Sequence, residues 1–110
     1  HQAGDEVLRQ TCQAARACLR STDRFARYGG EEFVLLLTPL NDSALAQIVS
    51  ERVRQAIEQH RWPQGLPAVT VSVGVATVDA DDTVERLIAR ADAALYRAKG
   101  EGRNRVVVHA

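Results

Sequence analysis

The feature that most constrains the fold is an abrupt change of character in residues 27–37, which read RYGGEEFVLLL. Two adjacent glycines lead into two adjacent glutamates and then into an unbroken apolar run. Because glycine adopts backbone conformations that other residues avoid, Gly29 and Gly30 predict a tight turn. The flanking segments, Arg24 to Tyr28 and Glu32 to Leu37, have the composition of strands. The stretch therefore predicts a β-hairpin with carboxylates at its tip.

Periodic patterns predict the other elements of secondary structure. Apolar residues recur at helical spacing over residues 5–20, residues 42–60 and from about residue 82 to residue 100. Asp82, with Glu85 three residues later, resembles a capping box for the third of these helices. Alternating valines predict a strand over Val69 to Val75, and a last strand covers Arg105 to His109. The order α–β–β–α–β–α–β predicts an α/β fold, an α+β sandwich of helices on a sheet.

Composition predicts one globular domain over residues 1–110. Fourteen basic and fourteen acidic residues cancel, so no overall field favours nucleic acid or a membrane surface. The apolar runs are also too short to cross a bilayer. Cys12 and Cys18 have neither zinc-ligand nor redox-pair spacing, which favours reduced cysteines on a helix in a cytoplasmic protein. Since the sequence has no methionine, we expect it to be a piece of a longer protein.

Two interpretations of the hairpin carboxylates remain open on the residues alone. They could be a solvated turn whose charges protect a sheet edge. They could also hold Mg²⁺, which binds one or two protein carboxylates together with substrate phosphates. A second cluster, Lys99 to Arg105, combines cations with two glycines, which suits a helix C-terminus but also a phosphate tail. An acidic turn and a basic loop in a neutral chain favour a metal–phosphate site.

Four segments, taken together, resemble the GGDEF family of diguanylate cyclases in its GGEEF form. Arg27 to Phe33 matches the family signature, and residues 1–5, HQAGD, resemble its Gly-His-x-x-Gly-Asp segment without the first glycine. Val69 to Val75 matches its Thr-x-Ser-x-Gly strand, and Ala91 to Asn104 matches its closing helix and loop. The matches run in order over essentially the whole chain.

The resemblance implies a nucleotide-cyclase-like, ferredoxin-like fold with a central, mainly antiparallel sheet flanked by helices. It implies that two GTP molecules are joined into cyclic di-GMP with release of two pyrophosphates. A product made from two opposed nucleotides also implies a homodimer, because one such domain offers one GTP site. No nucleic-acid partner and no direct membrane contact are expected of this domain.

The resemblance also assigns catalytic and metal roles at the turn. It makes Glu31 a metal ligand, and Glu32 either a ligand or the group that helps to deprotonate the attacking hydroxyl. Two Mg²⁺ ions per site, or Mn²⁺, would be the cofactors. Gly29 and Gly30 would shape the turn against the nucleotide.

Further residues are implicated in substrate binding. By resemblance, Asp5 accepts hydrogen bonds from the guanine edge, while Lys99 and Arg103 hold the phosphates. Without the resemblance, Asp5 is equally well explained as an acidic residue near a helix N-terminus. On the third helix we expect Asp92 to make a structural hydrogen bond and Tyr96 to pack in the core.

A second site is implied by Arg20 and Asp23, which form an Arg-x-x-Asp pattern shortly before the hairpin. In the family this placement marks a product-inhibition site that grips cyclic di-GMP, and Arg52 is a candidate for a further contact. The alternative is an exposed ion pair, which contributes little to stability. The pattern also supports a second function, in which a non-catalytic domain senses GTP or cyclic di-GMP. A purely structural α/β domain would require every motif to be coincidental.

One family element is missing from the 110 residues. The first strand of the fold, with a further metal-binding Asp and an Asn that shares the guanine with Asp5, lies upstream of His1 in the family. By resemblance, this strand is central, between the strands at 32–37 and 69–75. Without it both strands would expose unpaired backbone groups, so we expect one of three arrangements. Upstream residues outside these 110 supply the strand, or the two strands pair directly, or a strand from a second copy fills the gap. We also expect the 110 residues alone to be a poor cyclase.

Overall fold

The computed structural model describes residues 2–29, 32–37 and 42–109, and within these ranges the predicted order of elements is confirmed. The helices are α1 (Gln2–Arg16), α2 (Ser43–Glu58) and α3 (Val84–Gly100). The strands are β1 (Arg24–Gly29), β2 (Glu32–Leu36), β3 (Val73–Val75) and β4 (Val106–Val108). No helix among the described residues is long and apolar enough to cross a membrane. Cys12 and Cys18 are half-buried and free, as expected.

The predicted hairpin is present. Strands β1 and β2 are antiparallel, with Phe25 opposite Leu35 and Gly29 opposite Glu32 at the turn end. The register shifts between Arg27 and Gly29, as at a β-bulge, which increases the local twist of the strand. The rings of Phe25 and Phe33 stack at a centroid distance of 5.1 Å on one face of the hairpin. The turn residues Gly30 and Glu31 lie outside the described residues.

The other two strands form a second, separate sheet. Strands β3 and β4 are parallel, with Val73 opposite Val106 and Val75 opposite Val108. The predicted strand over Val69 to Val75 is therefore shortened to its last three residues. The alternating pattern correctly locates a strand, but a strand also requires a partner, and β4 is only three residues long. The α/β class is confirmed, with its strands divided between two sheets.

Of the three arrangements expected around the missing strand, direct pairing is not found among the described residues, and a strand from upstream or from a second copy stays a prediction. Strands β2 and β3 do not pair with each other, and no described strand lies between them. Instead, both face a cavity of about 1140 Å³, lined on one side by Phe33 to Leu37 and on the other by Val69 to Val78. The buried residues accordingly form two small clusters. One contains Ala14, Ala15, Val53 and Ile57, and the other contains Ala94, Ala98 and Val107.

Helix α3 corrects two predictions. Its N-cap is Thr83, whose hydroxyl accepts a hydrogen bond from the Arg86 amide. The Asp82 carboxylate instead accepts hydrogen bonds from Arg90 and from the Asp79 amide. Tyr96 is 80% exposed and does not pack in the core. Successive residues of a helix are 100° apart, so Tyr96 points away from the stripe that buries Ala94 and Ala98.

Gly74 brings β3 into close contact with α3. A Cβ atom at this position would lie 2.2 Å from the carbonyl oxygen of Ala91 and 2.4 Å from the amide nitrogen of Leu95. Both are backbone atoms, so rotation of a side chain cannot relieve the clash. The glycine therefore determines how closely β3 and α3 can pack.

We predict that Gly74→Ala destabilises the protein by on the order of 1–3 kcal/mol or more, because β3 and α3 must separate. Urea unfolding followed by circular dichroism measures the change. Gly100→Ala is the matched control, since a Cβ there meets nothing within 4 Å and alanine favours the helix. Equal stability of the two variants would contradict the prediction.

Asp82 ties the segment before α3 to the helix. Its carboxylate accepts hydrogen bonds from Arg90 at 2.6 Å and from the Asp79 amide at 2.7 Å. The bond from Arg90, followed by the bond from the amide, lowers the pKa of Asp82 from 3.8 to about 2. A carboxyl group whose pKa is lower in the folded than in the unfolded protein stabilises the fold fully at pH values above its ordinary pKa. This stabilisation is lost progressively as the pH falls toward the pKa of the folded state.

We therefore predict that Asp82→Asn lowers the free energy of unfolding at pH 7 and that this difference shrinks between about pH 4 and pH 2. Urea unfolding at a series of pH values measures the difference. Asp81→Asn serves as the control, because the Asp81 side chain makes no ion pair among the described residues. A difference for Asp82→Asn that stays constant down to pH 2 would refute the assignment.

Candidate functional site

The cavity between the two sheets brings together predicted substrate-binding residues from distant parts of the chain. Asp5 lies near the start of α1, Lys99 lies in the last turn of α3, and Arg103 lies in the loop that follows. All three residues are exposed and line this one cavity. The cavity lining thus includes the cations Lys99 and Arg103 and the carboxylates Asp5 and Asp92, while the residues from the strands are largely apolar. Such a cavity suits a ligand with both a hydrogen-bonding ring and anionic groups.

The turn end of the hairpin adjoins a residue that lines the cavity. Glu32 is the first residue of β2 and pairs with Gly29, so it lies at the turn end of the hairpin. The next residue, Phe33, already lines the cavity. Glu31 and Gly30, predicted at the tip, lie outside the described residues. Within the described ranges, no group of three or more potential metal ligands lies together.

Asp92 differs from its expected role. Its side chain is exposed, lines the cavity and makes no hydrogen bond to another described residue. It lies on α3 between Ala91, which contacts Gly74, and the last turn that carries Lys99. Sequence reasoning assigned it a structural hydrogen bond, because a carboxylate beside an alanine-rich stripe usually has a nearby donor. In the cavity it is available to a ligand or to another segment of chain.

The loop after α3 has an unusual backbone. Gly102 has a φ of 124°, and the amide of Arg103 donates to the carbonyl of Ala98 at 2.9 Å, which is the long bond of a Schellman motif. Arg103 and Asn104 then both have positive φ, at 64° and 48°. Adjacent left-handed residues other than glycine are rare. In the sequence of this loop, only Gly102 and Asn104 are residue types that favour a positive φ.

Arg20 and Asp23 form the ion pair suggested by their spacing. The Asp23 carboxylate is fully buried and accepts from Arg20 Nη2 at 2.8 Å, Nε at 3.2 Å and the backbone amide at 2.7 Å. The Arg20 side chain remains 46% exposed. The hydrogen bonds from the Arg20 side chain, and then the one from its backbone amide, lower the pKa of Asp23. Asp23 therefore orients Arg20, and the guanidinium is the part of this pair that an external ligand can reach.

Arg52 lies on the exposed face of α2. Its backbone carbonyl accepts a contact from the Cys18 thiol at 3.9 Å, which places this turn of α2 beside the segment leading to Arg20. Its side chain lines a shallow surface cavity of about 470 Å³ together with Ile48, Glu51 and Gln55. The structure thus puts Arg52 next to the segment that carries the Arg20–Asp23 pair, and away from the cavity between the sheets.

The chain is similar in sequence to curated proteins of known activity. The chain is 46% identical over 109 residues to the diguanylate cyclase DgcM of Escherichia coli, covering 97% of this chain and 26% of DgcM. It is 40% identical over 111 residues to diguanylate cyclase A of Treponema denticola, covering 98% of this chain and 30% of that protein. The chain thus spans only between a quarter and a third of the length of these curated relatives.

Solved structures are also similar. The active GGEEF domain of a diguanylate cyclase from Vibrio cholerae superposes with a TM-score of 0.89 at 29% identity, covering all of this chain and 70% of that one. The GGDEF domain of DgcB from Caulobacter crescentus, in complex with c-di-GMP, superposes with a TM-score of 0.87 at 32% identity, covering 99% and 64%. The sequence model described as "Diguanylate cyclase, GGDEF domain" matches residues 1–105. The chain therefore belongs to the GGDEF family of diguanylate cyclase domains.

Proposed function

We propose that this chain is the larger part of a diguanylate cyclase domain, which condenses two GTP molecules into cyclic di-GMP and two pyrophosphates. The observation that carries the proposal is the convergence of Asp5, Lys99 and Arg103 on one cavity that β2 also lines, directly beside the Gly-Gly-Glu-Glu turn. The named relatives and the family to which the chain belongs support the same activity.

The reaction follows from the groups available. The 3′-hydroxyl of one GTP attacks the α-phosphorus of the other, a new phosphorus–oxygen bond forms, and the bond to the bridging oxygen of the β-phosphate breaks. Pyrophosphate leaves with the electron pair, and the hydroxyl proton passes to solvent, either through Glu32 or, where Glu32 is a metal ligand, through a water molecule. The same exchange repeated on the second nucleotide closes the ring. In such a reaction the protein mainly positions the reactants and neutralises charge.

Each substrate-binding residue has a chemistry suited to its part of the nucleotide. The Asp5 carboxylate accepts from the N–H groups of guanine, which favours this base because another base would leave the acceptor unpaired. Lys99 supplies a point charge and Arg103 a planar fork, and both suit phosphate oxygens. Gly29 and Gly30 let the nucleotide approach the backbone of the turn closely.

Mg²⁺ or Mn²⁺ fits the donor chemistry of the turn, where Glu31 and Glu32 would provide hard carboxylate oxygens. When bound, two such ions would lower the pKa of the attacking hydroxyl and neutralise the departing charge. The described ranges add no cluster of further ligands. A full complement of two ions would therefore draw on the phosphates and on the Asp that the family carries upstream.

The cavity also supports the expectation of an additional strand. Edges of β2 and β3 that have no partner strand among the described residues face it, and its walls include Val34, Leu36, Val69 and Val71. We propose that an extended segment from upstream in the longer protein occupies the apolar part, leaving the part near Asp5, Lys99 and Arg103 for the nucleotide. We further propose a cytoplasmic homodimer that opposes two such sites across a two-fold axis, without nucleic-acid or direct membrane contact.

A second function, sensing of cyclic di-GMP without turnover, is supported by the Arg20–Asp23 pair. The buried carboxylate orients a guanidinium that is 46% exposed, and a guanidinium suits a phosphate or a guanine edge. In an active enzyme the same pair, with Arg52 beside it, would bind product and inhibit. The two functions differ only in whether the Gly-Gly-Glu-Glu turn supports catalysis.

We predict that Glu31→Ala abolishes magnesium-dependent release of pyrophosphate from GTP without unfolding the protein, because it removes a carboxylate that would bind the metal. The assay uses the longer protein that includes the upstream strand, at several protein concentrations.

The rate per chain should rise with concentration if the dimer is the active form. The unextended 110 residues, measured in parallel, should have little activity.

Glu85→Ala is the matched control for this experiment, since Glu85 is an exposed glutamate in the first turn of α3, and it should leave the rate unchanged. Near-normal turnover by Glu31→Ala would instead support the interpretation that the carboxylates only protect a sheet edge. A wild-type protein that binds cyclic di-GMP but never consumes GTP would favour the sensing function.

We predict that Arg20→Ala relieves inhibition by added cyclic di-GMP, raising the inhibitory concentration by about tenfold or more, since charge-assisted hydrogen bonds to the ligand are lost. Initial rates at increasing cyclic di-GMP measure the effect in the longer protein. Arg86→Ala, which changes an exposed arginine on α3, should not move the inhibition curve. An unchanged curve for Arg20→Ala would make the pair an ordinary surface contact.

A further inference from the structure

A closed ring of hydrogen bonds joins α2 to the loop that carries Arg103. Arg54 Nη1 donates to Asn104 Oδ1 at 2.7 Å and to Glu58 Oε1 at 3.2 Å. Asn104 Nδ2 in turn donates to the other oxygen of Glu58 at 2.6 Å. Both ends of the Asn104 side-chain amide are therefore paired, its N–H with the Glu58 carboxylate and its oxygen with the Arg54 guanidinium. We call these three residues the loop clamp.

The helix side of the loop clamp is itself fixed. Arg54 is 11% exposed, and its other edge donates to both oxygens of Glu51, at 2.7 Å and 2.6 Å. A guanidinium bound on both edges has little rotational freedom, so it holds Asn104 at a defined position relative to α2. The hydrogen bond from Asn104, and then that from Arg54, also lower the pKa of Glu58, so the carboxylate stays ionised in its place.

The loop side needs such support. Arg103 and Asn104 are adjacent residues in the left-handed conformation, which persists in side-chain-bearing residues only where surrounding contacts hold it. Besides the loop clamp, the Asn104 backbone amide donates to Ser72 Oγ at 3.1 Å, and the Val73 backbone amide donates to the Arg105 carbonyl at 2.9 Å. These bonds attach both sides of the loop to the chain entering β3.

We infer that Arg54, Glu58 and Asn104 are positioning residues that hold Arg103 where it meets the phosphate groups of the nucleotide. This inference rests on the proposed function for the role of Arg103. Arg103 and Lys99 line the cavity between the sheets, whereas none of the three clamp residues does. The clamp thus acts on the ligand only through the backbone it fixes, one residue away from the side chain that makes contact.

The chemistry of the clamp allows it to be broken and rebuilt. In Asn104→Asp two carboxylates face each other, and in Glu58→Gln one amide N–H must face another N–H group. The double variant, Glu58→Gln with Asn104→Asp, reverses the hydrogen bond, because the new amide on α2 would donate to the new carboxylate on the loop while Arg54 still donates to both. Its net charge equals that of the wild type, and Asp tolerates the left-handed conformation as Asn does.

The experiment measures two quantities in the longer protein that includes the upstream strand. One is the affinity for inorganic triphosphate by calorimetry, and the other is the separation of KM for GTP from kcat. Each single variant should weaken triphosphate binding and raise KM by about tenfold while kcat changes by less than about twofold, since small displacements of a binding group have large effects. The double variant should return both to within about twofold of wild type.

Arg103→Ala and Glu101→Gln complete the design. Arg103→Ala should reproduce the loss, and adding Asn104→Asp to it should cause no further loss, because both act through one contact. Glu101→Gln removes exposed ion pairs of the same loop, with Arg97 at 3.3 Å and Arg105 at 4.0 Å, and should leave affinity unchanged.

Unchanged triphosphate affinity in the single variants, or failure of wild type to bind triphosphate, overturns the inference. An equal loss in Glu101→Gln overturns it as well, because a general disturbance of the loop would then suffice. If the variants show the expected losses and the rescue but wild type does not turn over GTP, the loop clamp stands and the proposed cyclase activity fails.

Discussion

The contact between β3 and α3 at Gly74 is the constraint on which the candidate site depends. The backbone of α3 occupies the space that a side chain at this position would need, so strand and helix form one closely packed unit. Strand β4 pairs in parallel with β3, and the loop between α3 and β4 is therefore held at both ends. Lys99 and Arg103 lie on this unit, and their placement relative to the cavity follows from a contact that involves no charge.

Sequence predicted those parts of the fold that are determined by nearby residues. The three helices follow from the periodicity of apolar residues, and the hairpin follows from Gly29-Gly30. Their predicted bounds agree with those of the structure within a few residues. Errors arose where the outcome depends on distant or competing partners. The strand over Val69 to Val75 is shortened because its partner is short, and Thr83 caps α3 because the Asp82 carboxylate is used by Arg90 and by the Asp79 amide.

The site was predictable to the extent that single residues carry its chemistry. Family resemblance pointed to Asp5, Lys99 and Arg103, and the structure places all three on one cavity. It gave no indication of the loop clamp, because Arg54 and Asn104 are 50 residues apart and the motif that ends at Asn104 assigned no contact to that residue. Such a ring exists only once α2 and the last loop are packed together, so neither periodicity nor motif spacing could reveal it.

The cavity has an apolar part and a charged part. Its apolar part is lined by β2 and β3, whose edges have no further partner strand among the described residues and would gain hydrogen bonds and apolar contacts from one. Its charged part carries Lys99 and Arg103, which in the proposed function bind the anionic groups of the nucleotide. A strand that fills the first part would fix the hairpin relative to α3, and with it the distance between the turn carboxylates and the two cations. Strand and nucleotide would then stabilise the same arrangement, and by linkage each would strengthen the binding of the other.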